Sequence, residues 1–144
     1  MADVTDSAIA AAYDDVRSDK SETNFLLLDY AGEKSDKLTV TATGTGGLEE
    51  LKGLLKDDKA SFAYVRVKYS NDVESFREKF AYIVWLGSGI KPLRRAKCSV
   101  HSADVKNVIR SFSIEVPASS QEDLNEGPIV TRLRKAGGAS YDRT

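Results

Sequence analysis

The sequence is poor in the residues from which reactive sites are built. Its 144 residues include one histidine, His101, and one cysteine, Cys98. A single cysteine excludes an internal disulfide and suits a reducing compartment. One histidine and one cysteine fall short of a zinc site, which gathers four protein ligands or three plus water. Any Ser-His-Asp or Cys-His arrangement would have to use His101, which reads instead as an ordinary surface or boundary histidine. Charge of one sign is lacking too. The 21 basic and 22 acidic residues leave a net charge of −1, without the basic excess of nucleic-acid binders. Long apolar runs are absent: the longest, Phe80–Leu86, is far below the ~20 residues that cross a bilayer. The N-terminus carries no apolar signal core. No nucleic acid, integral membrane association, cofactor, metal or enzymatic activity is expected, and the expected address is cytoplasmic.

What is present is an ordinary folded composition, 41% hydrophobic and 30% charged, which separates the chain from disordered sequences. The length suits one domain with its own core, placed at residues 1–137 with a flexible tail over 138–144. Ile9, Ala12, Tyr13 and Val16 recur at helical spacing over residues 6–17, with Asp6 or Ser7 as cap. Phe25–Tyr30 is a compact apolar strand. The turn at 31–36 then leads to Leu38, Val40 and Ala42 alternating with threonines, so the two strands read as a hairpin. A short helix carries Leu48, Leu51, Leu54 and Leu55. Phe62–Tyr69 and Phe80–Leu86 read as strands buried on both faces, joined by a polar linker from Ser70 to Lys79. A central sheet covered by helices on each side follows.

The next segment has two apolar stripes that do not align. Leu93, Ala96 and Val100 form one; Val105, Val108, Ile109 and Phe112 form the other. The expected result is a kink or a fresh start near Ser102. Phe112–Val116 reads as a last strand stopped by Pro117. The final helix carries Leu124, Ile129, Val130 and Leu133. Gly127-Pro128 interrupts it with a kink or a restart that puts Pro128 in the first turn, and Gly137-Gly138 ends it.

Few residue sets suggest chemistry. Gly44-Thr-Gly-Gly47 precedes a helix, but Leu48-Glu-Glu follows where a phosphate loop needs lysine and a hydroxyl, so a plain strand-to-helix turn is expected. Asp14-Asp15 and Asp57-Asp58 read as solvated pairs. Three basic clusters remain. They are Arg77 with Lys79 at the entry to a buried strand, Arg94, Arg95 and Lys97 after Pro92, and Arg132, Arg134 and Lys135 near the end of the last helix. Cations at a helix C-terminus have a local explanation in the helix dipole. The other two clusters have weaker local explanations, and they read equally as solvated faces or as an interaction surface.

Several stretches then carry a resemblance: Ala11-Ala-Tyr-Asp-Asp-Val-Arg17, Phe62-Ala-Tyr-Val-Arg66, Lys79-Phe-Ala-Tyr-Ile-Val-Trp-Leu-Gly87, Leu93-Arg-Arg-Ala-Lys97 and Leu133-Arg-Lys-Ala-Gly-Gly-Ala-Ser-Tyr-Asp142. With the order of elements, they make the chain similar to the actin-depolymerising-factor homology (cofilin) family, and within it to the coactosins. The resemblance spans nearly the whole chain. It implies an α/β (α+β) fold, a central mixed five-stranded sheet with helices packed on both faces. It also implies a non-catalytic cytoskeletal protein that binds the sides of filamentous actin as a monomer, with little severing. It assigns actin-binding roles to Lys79, Arg77, Arg94, Arg95, Lys97, Arg134 and Lys135. Two departures from the family pattern are Gly127-Pro128 in the last helix and a long helix without the dense lysines of cofilins. The same basic patches leave open an adaptor for other protein partners or an anionic-lipid-binding module.

Overall fold

The computed structural model describes residues 1–70 and 76–142. Its helices are α1 (Ser7–Arg17), α2 (Gly47–Leu54), α3 (Pro92–Lys106) and α4 (Glu126–Asp142), and its strands are β1 (Phe25–Tyr30), β2 (Leu38–Gly44), β3 (Ala60–Ser70), β4 (Phe76–Leu86) and β5 (Ile114–Ala118). A 3-10 turn, Gln121–Leu124, precedes α4. The strands form one sheet in the order β2-β1-β3-β4-β5. The β4–β5 pair is parallel and the others antiparallel, so the sheet is mixed.

Strand alternation divides the core in two. Phe25, Leu27, Ala63, Val65, Ile83 and Trp85 face α2 and α4, where Leu51, Ile129 and Leu133 cover them. Leu26, Leu28, Phe62, Tyr64 and Tyr82 face α1 and α3, under Ile9, Tyr13, Val16, Cys98 and Val105. Cover on both faces explains why β1 and most of β3 read as unbroken apolar runs. The Asp6 carboxylate caps α1 by accepting the Ala8 N–H at 2.9 Å. The other end of α1 is held by Arg66 of β3. Its guanidinium donates to the carbonyls of Val16 and Ser18 (3.1 and 2.9 Å) and, at longer range, to those of Ser21 and Thr23.

Four expectations change. The described part of the polar linker is strand: β3 reaches Ser70 and β4 begins at Phe76, while residues 71–75 of that linker lie outside the described residues. Arg77, Glu78 and Lys79 are polar because this part of β4 is open to solvent, not because its backbone is irregular. α3 is a single helix without a fresh start at Ser102. Pro117 lies inside β5 rather than ending it, which an edge strand tolerates because the missing N–H can face outward. Finally, α4 restarts with Pro128 in its first turn as expected, but continues through Gly137-Gly138 to Asp142. Each helical glycine costs only about 1 kcal/mol relative to alanine, which does not by itself stop a helix.

The start of α3 is located by the Trp-Leu-Gly stretch that ends β4. Trp85 Nε1 donates to the Lys56 carbonyl at 2.7 Å, Gly87 N–H to Lys59 at 3.0 Å and Gly89 N–H to Asp57 at 2.8 Å. A Cβ on Gly87 would lie 2.2 Å from the Asp57 carbonyl oxygen. Only glycine fits this approach.

Candidate functional site

The β3–β4 hairpin projects beyond the strands on either side. β1 pairs with β3 only as far as Phe25 opposite Val65, and β5 joins β4 only from Ile114 opposite Ala81. The hairpin ladder itself continues to Ser70 opposite Phe76. Arg77 and Lys79 lie on this projecting half, opposite Tyr69 and Val67. Alternation places them on the same sheet face as Ala81 and Ile83, the face that α4 covers. From α4, Arg134 reaches the hairpin: its Nη2 donates to the Ser70 carbonyl at 2.6 Å, and its guanidinium lies 5.8 Å from the Tyr69 ring centre. Lys135 follows on the exposed side. The fold thus gathers Arg77, Lys79 and Arg134 at one end of the sheet from strands and a helix far apart in sequence. Among the described residues neither Arg77 nor Lys79 forms an ion pair.

Between the hairpin and the first turns of α4 runs an open groove of about 680 Å³, with Tyr69, Phe76 and Val130 as its apolar wall and Lys68 and Arg134 as cations. Phe76 is 66% exposed, an unusual position for an aromatic ring. Because α4 continues past Arg132, Arg134 and Lys135, these cations sit within the helix and not in its last turn. The dipole explanation for them therefore does not apply.

The second basic cluster is elsewhere. Arg94, Arg95 and Lys97 lie at the start of α3, on the opposite sheet face and beside the β1–β2 turn, away from the projecting hairpin. The structure does not bring them together with Arg77, Lys79 and Arg134. Nor are the three equivalent. Arg95 is exposed, Lys97 lies 3.5 Å from the Asp36 carboxylate, and Arg94 is turned inward, its side chain only 15% exposed.

The outward side of α3 explains the two misaligned stripes. Leu93 and Val100 are 68% and 63% exposed, and Ala96 and Ala103 share their line along the helix. The stripe that reads like core therefore faces solvent. The buried line is Cys98, His101, Ser102 and Val105, continued by Ile109. Histidine and serine hide that line from a reading based on apolar spacing. The sequence signal for Leu93 and Val100 was present, but it pointed to the core.

The buried histidine, cysteine and tyrosine of this region partner one another. His101 is buried rather than on the surface, and its Nδ1 lies 2.7 Å from the Tyr30 hydroxyl, with Cys98 Sγ 3.6 Å from the same oxygen. Burial pushes the His101 pKa down and those of the Cys98 thiol and the Tyr30 phenol up. These groups are held neutral near pH 7, without an activated nucleophile. Among the described residues no group of three or more His, Cys, Asp or Glu could hold a metal ion, and no helix is long and apolar enough to cross a membrane. The glycine loop is a turn. Gly46 N–H donates to Glu50 Oε1 at 2.9 Å and Gly47 N–H, at φ 63°, to Asn24 Oδ1 at 2.8 Å, so donors that a phosphate would need are already engaged.

Comparison with known proteins agrees with this architecture. Residues 1–134 match the sequence profile of the cofilin/tropomyosin-type actin-binding proteins. The chain is 41% identical to coactosin of Dictyostelium discoideum over 142 residues, covering 98% of this chain and 95% of that protein. It is 46% identical to coactosin of Entamoeba histolytica over 136 residues, covering 94% and 91%. The crystal structure of coactosin from Entamoeba histolytica superposes with a TM-score of 0.83 at 43% identity, over 90% of this chain and 93% of that one.

Proposed function

Because this chain belongs to the cofilin/tropomyosin-type actin-binding family, and within it to the coactosins, we propose that it binds the sides of actin filaments through basic surface residues. In this reading it acts as a cytoplasmic monomer on the cytoskeleton, without catalysis and with little severing. The observation that carries the proposal is the convergence of Arg77, Lys79 and Arg134 on the projecting hairpin, with Lys135 alongside. Cations held on a protruding ladder, with no ion pair to Arg77, Lys79 or Arg134 among the described residues, can steer onto an acidic surface although the net charge is only −1. Each exposed pair contributes about 0–1 kcal/mol, so several must act together and binding weakens with salt.

The exposed α3 stripe supplies the apolar part. Leu93 and Val100, with Lys97 as their helical neighbour, form a helix face of the kind that buries its anchors in a partner's groove. An apolar centre with charged flanks is the usual anatomy of a specific interface. Co-sedimentation with filamentous actin tests the proposal. Wild-type protein pellets with filaments, and Lys79→Ala pellets less while melting at the wild-type temperature. Unchanged pelleting of Lys79→Ala would remove that residue from the site.

A further inference from the structure

The three cations at the start of α3 look alike in sequence, and the structure separates them. The Arg94 guanidinium lies 3.8 Å from the centre of the Tyr30 ring. Its Nη2 donates to the carbonyls of Glu33 and, at 3.1 Å, Ser35, both in the β1–β2 turn. Its Nη1 is buried 3.7 Å from the Asp36 carboxylate and makes no hydrogen bond. Tyr30 is held in turn through its hydroxyl by His101, two helical turns further along α3. One arginine therefore joins the first turn of α3 to the end of β1 and to the backbone of the turn that follows. A cation in the first turn opposes the helix dipole, so the helix itself gives no reason for Arg94 to be there. Little of its charge is left for a partner, since its planar group is stacked on a ring and forked onto two carbonyls.

We infer that Arg94 is a positioning residue for filament binding, tying the β1–β2 turn to the start of α3 so that Leu93 and Val100 are presented in one fixed direction, rather than a residue that touches the partner. This rests on the filament reading above. The charge-preserving variant separates the two roles: Arg94→Lys keeps a cation but loses the flat fork. Arg94→Ala and Arg94→Lys are each expected to weaken co-sedimentation about five-fold. The slope of log Kd against log salt should stay at its wild-type value in both, whereas Arg95→Ala makes it shallower. Amide hydrogen exchange over residues 31–37 should quicken in both Arg94 variants with the rest of the sheet still protected. Wild-type affinity in Arg94→Lys, together with lost affinity and a shallower salt slope in Arg94→Ala, would show a direct charge contact and overturn the inference. So would unchanged affinity in both. Unchanged exchange at residues 31–37 would refute the tie itself. A wild-type protein that does not pellet would refute the filament reading, an outcome read independently of exchange.

Discussion

Replacing Leu93 and Val100 together by serine separates binding from folding. Both side chains are about two-thirds exposed in the free protein, at 68% and 63%. Complete burial of a leucine or valine is worth about 1.5–3 kcal/mol, so about 1–2 kcal/mol per residue is still to be gained when a partner covers them. The pair thus offers about 2–4 kcal/mol if fully covered. Interfacial cover is incomplete, and a loss of about 1.4 kcal/mol, ten-fold in Kd, is the conservative expectation. The folded state loses almost nothing, because exposed substitutions of this kind change stability by about 0.5 kcal/mol or less. The assay is co-sedimentation at a series of filament concentrations beside a thermal melt. A ten-fold loss of affinity with an unchanged melt supports α3 as a docking face. Affinity within two-fold of wild type would refute it, and a large drop in melting temperature would show that the exposed stripe supports the fold instead.

Other outcomes follow from the same contacts. Arg66→Ala removes the donors that hold the carbonyls of Val16, Ser18, Ser21 and Thr23. Because Arg66 is half-buried and the loop carbonyls can turn to water, the expected loss is about 2–3 kcal/mol in urea unfolding, and a loss below 0.5 kcal/mol would contradict its role. Gly87→Ala forces a Cβ against the Asp57 carbonyl and should cost about 1–3 kcal/mol as the 56–59 turn is displaced, again read by denaturant midpoint. His101 has its pKa lowered from 6.5, first by burial, with the N-terminal amine and Arg94 acting in the same direction against Asp36 and Asp104. The unfolded chain therefore binds the proton more readily than the folded one, and stability falls as pH drops through 6.5 towards the folded value. His101→Gln should flatten the change in urea midpoint between pH 7.5 and 5.5, and an equally steep change in the variant would place its origin elsewhere.

The elements that were legible in the sequence are those whose burial matches their chemistry. Phe25–Tyr30 is apolar because both faces of β1 are covered, and the helix from Ser7 shows its period because Ile9, Tyr13 and Val16 all enter the core. α3 misled because its buried line holds Cys98, His101 and Ser102 while Leu93 and Val100 face out. The polar start of β4 hid a strand because hairpin pairing with β3 needs no apolar cover on that projecting end. All seven candidate cations were visible as clusters. That Arg134 joins Arg77 and Lys79 while Arg94 turns onto Tyr30 depends on how distant segments pack, which no local spacing records.

The central claim is that the cations gathered on the projecting hairpin and α4 bind the filament side. It is tested most directly by co-sedimentation of wild type and of the triple variant Arg77→Ala/Lys79→Ala/Arg134→Ala over a salt series. The claim predicts wild-type pelleting that weakens as salt rises, and a triple variant that binds much more weakly with a shallower salt dependence. A correctly folded triple variant that pellets like wild type, with the same salt dependence, would contradict it.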